Sequence, residues 1–304
     1  MPKMRITALY FILLIFLAGC GDNYKTEDFY SMGTFVSITL KKNRFSLATD
    51  ARALVSQLEN KVTTETDKAN KTQNFQFDGI MRHLYDKGED FSDMTDGRFS
   101  VFAYTIGKLY GFHEGPYHEP SEEAIDQALD DIDKMNNVQM DLGAFAKGYI
   151  VDRTVGFLKE KKVKSALVNA GGDLYALGTK GDRKWRVAIK HPDEEEKFIS
   201  IISLENTAVA TSGDYERFFM TKDGRRVFHI FDATTGKNPP YYRSVSVIAN
   251  DTETADGLAT AFFLLPPDIV EKKCKKLKTP VLLYTKEANV FKLCGWEKFE
   301  NYKD

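Results

Sequence analysis

The stretch "DLGAFAKGYIVD" (residues 141–152) marks a change of secondary structure. The "VQM" before it (residues 138–140) is predicted to be a short strand. From Phe145 to about residue 161, apolar residues recur with a rough helical period, which predicts a helix. Small residues at a helix entrance let the backbone approach a ligand, and helix N-termini attract anions. The stretch therefore indicates either a phosphate site or tight helix–strand packing.

Helical patterns dominate the first half of the chain and strand patterns the second. Helices are predicted over residues 47–62, 77–90, 254–265 and 267–276, and over 122–133 with Ser121 as the N-cap, while the polar segment 61–74 is predicted to be a loop. Strands are predicted over residues 29–40, 165–169, 174–178, 185–190, 198–204, 208–211, 218–221, 227–231, 244–249, 281–284 and 289–293. This distribution indicates an α+β fold.

Composition excludes some classes of protein. The chain has 304 residues, 42% hydrophobic, which is ample for a large core. Its formal net charge of -2 argues against a nucleic-acid partner, which would require a basic face.

The N-terminal residues are predicted to be a secretion signal. Lys3 and Arg5 precede an apolar run over residues 6–17, which is too short to span a membrane and ends in "LAGC" (residues 17–20). This ending resembles the bacterial lipoprotein signal, in which the cysteine, here Cys20, is acylated. We therefore expect a signal peptide over residues 1–19, a polar tether over 20–27 and a body over 28–304. The body is expected outside the cytoplasm, on the periplasmic or outer face of a bacterial membrane. Cys274 and Cys294 remain, and their spacing does not decide whether they pair.

The stretch "TETADGLATAFFLL" (residues 252–265) suggests a metal site. Asp256 and Thr260 are four residues apart, so a helix projects both from one face. A carboxylate and a hydroxyl are oxygen donors of the kind that magnesium prefers. The alternative is a capping aspartate and a threonine bonded to its own helix.

Three later motifs place further polar residues at turns. They are "NAGGDLYALG" (169–178), "TSGDYERFF" (211–219) and "HIFDATTG" (229–236). In the last one, His229 and Asp232 lie at a predicted strand end, where a histidine can serve as a base. Ordinary turns and a non-catalytic histidine explain the same residues.

Together with "MGTFVSITL", "TDGRFSVF" and "WRVAIKHP", these motifs occur in an order that resembles the ApbE family of FAD:protein FMN transferases. The resemblance covers the chain from about residue 29 onward. It implies a T-fold-like α+β architecture, in an enzyme that uses magnesium and FAD. Such enzymes attach FMN through its phosphate to a threonine of a target protein and release AMP.

The resemblance also assigns roles to individual residues. Asp256, Thr260 and the backbone carbonyl of Ala144 would hold the magnesium ion. Asp141 and Lys147 would contact FAD, with Lys147 near the pyrophosphate; as a surface lysine, it is expected to contribute little to stability. The flavin nucleotide would be lined by residues matched to the family's motifs: Met32, Arg98, Phe99, Ser100 and the backbone at Phe231. Ser100 stands where the family usually has an acid.

The sequence thus predicts a membrane-tethered FMN transferase, with His229 as the base and Asp232 orienting it. Two alternatives stay open at this stage. Water in place of the acceptor threonine would make the chain an FAD pyrophosphatase that releases FMN and AMP. A flavin-binding lipoprotein without catalytic activity is the other.

The lipoprotein signal leads to a first prediction. Cys20→Ser removes the thiol that would carry the lipid, so the protein should be released from membranes or remain as an unprocessed precursor. Fractionation of cells and mass spectrometry of the N-terminal peptide measure both. A Cys20→Ser protein that is processed and acylated like the wild type would contradict the prediction.

Overall fold

A computed structural model describes residues 23–194 and 196–300. Cys20 and the predicted signal peptide lie outside the described residues. The strands are β1 (Tyr24–Ser31), β2 (Thr34–Lys41), β3 (Ala166–Ala170), β4 (Asp173–Leu177), β5 (Trp185–Lys190), β6 (Phe198–Leu204), β7 (Thr207–Gly213), β8 (Phe218–Met220), β9 (Arg226–Phe228), β10 (Tyr242–Ala249), β11 (Val281–Thr285) and β12 (Val290–Leu293). The helices are α1 (Leu47–Thr72), α2 (Gly79–Met94), α3 (Ala103–Leu109), α4 (Glu122–Asp133), α5 (Ala146–Glu160), α6 (Thr252–Phe263), α7 (Pro267–Leu277) and α8 (Glu297–Glu300).

Eight strands form one antiparallel sheet in the order β1-β2-β3-β4-β7-β10-β11-β12. Helices α5 and α6 pack against the sheet and against each other. Side chains alternate along the strands, so that Val168 and Tyr175 belong to the main core while Leu167 and Leu174 belong to a second core with the β5–β6 hairpin. The sheet is therefore covered on both faces, which explains why β3 and β4 are buried throughout.

The two ends of this sheet have different surroundings. One end carries the β1–β2 turn at Met32, the β3–β4 turn at Gly171 and the last residues of β7, and we call it the active-site end. The opposite end carries the first residue of β1, Tyr24, beside the last residue of β2, Lys41. Helix α5 runs from the active-site end toward this far end, because the chain enters β3 there shortly after the helix stops.

The α+β class is confirmed, with helices concentrated early and strands late. The loop predicted over residues 61–74 is wrong, because α1 continues to Thr72. Its polar residues lie outside, while Val62, Thr66 and Ala69 extend the buried stripe. Residues 138–140 form no strand, and α3 was missed. The strand predicted over 29–40 is two strands joined by a turn.

Two expectations about the ends of the chain are also corrected or decided. The polar tether expected over residues 20–27 is wrong for its last four residues, because these begin β1 and pair with β2. Cys274 of α7 and Cys294 after β12 form a disulfide. Of the helices that the structure describes, none is long and apolar enough to cross a membrane.

Helix α6, which carries Asp256 and Thr260, begins on a partly buried acid of α5. The two carboxylate oxygens of Asp152 accept hydrogen bonds from the backbone N–H groups of Thr252 and Glu253, each at 2.8 Å. These bonds satisfy two of the four unpaired donors at the start of the helix. Burial nevertheless raises the pKa of Asp152 to about 6.

This raised pKa predicts a pH-dependent stability. A group whose pKa is higher in the folded state contributes stability below its unfolded pKa, about 3.9, and that stability is lost as the pH rises through about 6. Between these values, wild type should lose on the order of 2 kcal/mol of unfolding free energy relative to Asp152→Asn. Urea titrations across this pH range measure the difference. Asp126→Asn, at an exposed acid of α4, is the control, and parallel profiles for wild type and Asp152→Asn would contradict the prediction.

Candidate active site

A lysine held by two buried carboxylates lies at the first turn of α5. The Lys147 Nζ donates to the carbonyl of Gly143 at 3.1 Å. It also lies 3.2 Å from Oδ2 of Asp173 on β4 and 3.6 Å from Oδ2 of Asp256 on α6. Both acidic side chains are 4% exposed, whereas that of Lys147 is 27% exposed. The side chain of Lys147 is therefore partly exposed to solvent, whereas its two acidic partners are buried.

The charges of this cluster do not balance. Burial alone lowers the pKa of Lys147, but Asp173 and Asp256 raise it above its ordinary value, so the lysine stays protonated. Burial, and then the charge of Asp173, raise the pKa of Asp256 well above its usual range. Burial likewise raises the pKa of Asp173 against the opposing effect of Lys147. One cation faces two carboxylates, so a second cation here would favour ionisation of both.

The structure brings the predicted magnesium ligands together. Thr260 Oγ1 donates to the carbonyl oxygen of Ala144 at 3.5 Å, although 116 residues separate them. Ser212 Oγ lies 3.0 Å from Thr260 Oγ1. Asp256 is one turn earlier on the same helix and accepts from the N–H of Gly148 at 3.0 Å. A carbonyl, hydroxyls and a carboxylate are a donor set that fits magnesium.

This donor set differs from a cluster of acidic, histidine or cysteine ligands. Within residues 23–194 and 196–300, no three His, Cys, Asp or Glu side chains form a group that could hold a metal ion. A metal at Asp256 would therefore depend on neutral oxygen atoms of the protein. Magnesium tolerates this, because phosphate oxygens and waters complete its coordination.

The predicted pair of His229 and Asp232 is not formed. The carboxylate of Asp232 accepts hydrogen bonds from Arg98 and from the backbone and hydroxyl of Thr234, so it is not available to orient the histidine. The His229 Nδ1 instead lies 3.4 Å from the carbonyl oxygen of Arg217. The prediction erred because a separation of three positions at a strand end does not fix which way the side chains of His229 and Asp232 point.

His229 nevertheless borders the lysine cluster. Burial, the charge of Arg217 and the charge of Lys147 lower the pKa of His229 to about 3. The imidazole is therefore neutral at physiological pH, and in this environment it is a weak base. The charge of Lys147 acts on His229, and the role of this histidine as the base stays a prediction.

Three further residues lie around the same site, namely His113, Glu216 and Arg217. His113 lies in the loop after α3. Burial lowers its pKa to about 4, and the positive charge of Arg217 acts in the same direction, against that of Asp141. Glu216 is open to solvent, yet desolvation by the surrounding protein raises its pKa to about 7 despite the charge of Lys147. The motif "TSGDYERFF" contains Glu216 and Arg217, but only the folded chain shows that the charge of Glu216 acts on Lys147 and that of Arg217 on His229.

The remaining predicted ligand-binding residues divide into two groups. Met32 stays accessible at the β1–β2 turn, where its N–H donates to Glu59 at 2.7 Å, and Asp141 caps the N–H of Gly143 at 3.0 Å. Ser100 is only partly buried and accepts from the N–H of Phe102 at 3.1 Å, which makes it a local cap.

Two aromatic residues expected near the flavin, Phe99 by its position and Phe231 by its backbone, have their rings in the interior. Phe99 is 3% exposed and packs against Phe91 and Phe145, so the prediction that its ring lines the flavin site is wrong. The sequence cannot distinguish an apolar ring at a ligand from one in the core. The Phe231 ring stacks on Tyr110 with centroids 4.5 Å apart, which is consistent with a role for its backbone alone.

A helix N-terminus, a fixed lysine and converging oxygen donors define a site of the phosphate-handling class. The sequence profile of the ApbE family matches residues 32–283. The chain therefore belongs to the ApbE family.

The chain is similar to proteins whose names state an activity and to a solved structure. Curated relatives named FAD:protein FMN transferase include one from Rhodobacter capsulatus, 32% identical over 205 residues, and one from Treponema pallidum, 41% identical over 153 residues. These matches cover 62% and 46% of this chain but only 39% and 41% of the relatives. The crystal structure of the ApbE protein from Thermotoga maritima has a TM-score of 0.83 at 29% identity, covering 92% of this chain and 100% of that one.

The lysine cluster also overturns the expectation that Lys147 is dispensable for stability. Lys147→Ala leaves Asp173 and Asp256 buried without their cation, which should lower the unfolding free energy by roughly 3–5 kcal/mol near neutral pH. Adding Asp173→Asn to that variant removes one unpaired charge and should recover part of the loss. Denaturant titrations measure both.

Arg153→Ala, at an exposed cation of the same helix, is the matched control and should stay within about 0.5 kcal/mol of wild type. Equal stabilities for Lys147→Ala and Arg153→Ala would show that the buried cluster does not depend on the lysine.

Proposed function

We propose that this chain transfers FMN from FAD to a threonine hydroxyl of a partner protein, forming a phosphoester and releasing AMP. The observation that carries the proposal is the convergence of Ala144, Lys147, Asp256 and Thr260, from segments more than a hundred residues apart, at the start of α5. Membership of the ApbE family and the name borne by the relatives support the same activity.

The proposed substrate is a pyrophosphate, and the site has the means to bind one. The Nζ of Lys147 is fixed by Gly143 and Asp173 and retains an open side. The N-terminal end of α5 adds a positive dipole at the same place. Fixed positive charge neutralises the transferred phosphoryl group without reorganising during the reaction.

Magnesium would be held by the carboxylate of Asp256, the hydroxyl of Thr260 and the carbonyl of Ala144. When bound, it would supply charge neutralisation on the phosphate oxygens. Lys147 keeps Asp256 oriented by its ion pair, and Gly148 keeps it oriented by a hydrogen bond. These contacts hold the carboxylate at the first turn of α5.

His229 is the proposed acceptor of the threonine proton. Its pKa is low partly because Arg217 and Lys147 are positive. Phosphate groups bound beside these cations would offset their effect and make the imidazole a stronger base. Asp232, with its carboxylate bound by Arg98, has a structural role in this proposal rather than a catalytic one.

We also propose that Cys20 carries the lipid and holds the body outside the cytoplasm. The support is the "LAGC" ending of a short apolar run. The partner carrying the acceptor threonine would then lie on the same side of the membrane.

The proposed activity is tested by incubating the purified protein with FAD, magnesium and an acceptor protein containing candidate threonines. Flavin attached covalently to the acceptor, together with stoichiometric AMP, supports the transferase. Equal FMN and AMP without covalent flavin would identify a pyrophosphatase, and unchanged FAD would identify a binding protein. Either of these two results would reject the transferase.

The metal ligands differ in charge, and this predicts unequal effects. Asp256→Asn and Asp256→Ala remove a charged ligand and should raise the magnesium concentration for half-maximal activity roughly ten- to a hundredfold. Thr260→Ala removes a neutral ligand and should raise it only a fewfold. Magnesium titrations at saturating FAD measure each value. An unchanged magnesium requirement in Asp256→Asn would remove this residue from the metal site.

A further inference from the structure

Six cations surround the far end of the sheet, on the side opposite to the candidate active site. We call them the basic face: Lys41, Lys42, Arg44, Lys161, Lys162 and Lys164. All six are exposed, and four of them, Lys41, Arg44, Lys162 and Lys164, line one shallow depression. The face combines two segments far apart in sequence, the end of β2 and the connection from α5 to β3.

Within residues 23–194 and 196–300, the cations of the basic face have no acidic partners. Among the residues that the structure describes, none of the six forms an ion pair, and the guanidinium of Arg44 donates only to the carbonyl of Lys162, at 3.5 Å. The acid nearest in sequence is Glu160. Elsewhere, exposed lysines such as Lys134 and Lys272 pair with acids four residues away. A concentration of unpaired charge on a chain of formal charge -2 indicates an anionic partner.

The first described residues, Asn23 and Tyr24, lie beside the basic face. The N–H of Lys42 donates to the carbonyl of Asn23 at 2.8 Å. The hydroxyl of Tyr24 is hydrogen-bonded to Ser165, next to Lys164, at 2.8 Å. Only three residue steps separate Cys20 from Asn23, a reach of about 11 Å at most. A lipid on Cys20 would therefore hold this face at the membrane surface.

We infer that the basic face docks on the anionic phospholipid headgroups of the membrane, so that the active-site end points away from the bilayer. The inference rests on the proposed acylation of Cys20 for its geometry, while the charge of the face is independent of it. A cation near an anionic surface strengthens binding several-fold, and the effect is screened by salt.

The experiment compares three full-length proteins on vesicles of phosphatidylcholine with and without phosphatidylglycerol. They are wild type, the triple variant Lys41→Glu/Lys162→Glu/Lys164→Glu, and a control with the same charge change on α1, Lys61→Glu/Lys68→Glu/Lys71→Glu. All share one N-terminus, so the signal and lipid contribute equally. The ratio of the two dissociation constants isolates the contribution of the face. A fourth protein, with glutamine instead of glutamate at Lys41, Lys162 and Lys164, tests the face with a smaller charge change in case the glutamate variant misfolds.

Wild type and the α1 control should favour anionic vesicles by at least about tenfold, and the face variants should lose most of this preference. Raising the salt to about 0.5 M should abolish it. An unchanged preference in both face variants, or an equal loss in the α1 control, would overturn the inference. Repeating the comparison with Cys20→Ser separates the two proposals, because a preference retained without the lipid supports the face even if acylation fails.

Discussion

The ion cluster of Lys147, Asp173 and Asp256 is the constraint on which the rest of the site depends. Each of these groups would be costly to bury alone, and together they join α5, β4 and α6 at one point. The two helices must approach closely for this, and Gly148 permits it: a Cβ at that position would lie 2.4 Å from the carbonyl oxygen of Thr252. The position of Asp256 is thus determined jointly by charge and by the absence of a side chain.

Much of the fold follows from patterns within single elements. The alternation in the later strands and the helical period after residue 145 predict their elements closely, because one buried face imposes the period. The polar end of α1 was misjudged because a long exposed face hides a narrow buried stripe of Val62, Thr66 and Ala69.

The site was predictable only where its residues share an element or a family motif. Asp256 and Thr260 are one helical turn apart, so their spacing was informative. The contact between Lys147 and Asp173 joins a helix to a strand, and no local spacing encodes it. The same reason explains the error at Asp232, whose partner Arg98 comes from a segment 134 residues earlier. Ring burial at Phe99 is likewise a property of the assembled core.

The length of α5 has a consequence for the choice of protein substrate. Its fifteen residues span about 22 Å and separate the lysine cluster at one end from Lys161 at the other. If the basic face rests on the bilayer, the length of this helix sets the distance between the membrane surface and the active site. A membrane protein would be a substrate only if its acceptor loop rises to that height. Acceptors of identical local sequence closer to the lipid would be excluded by distance alone.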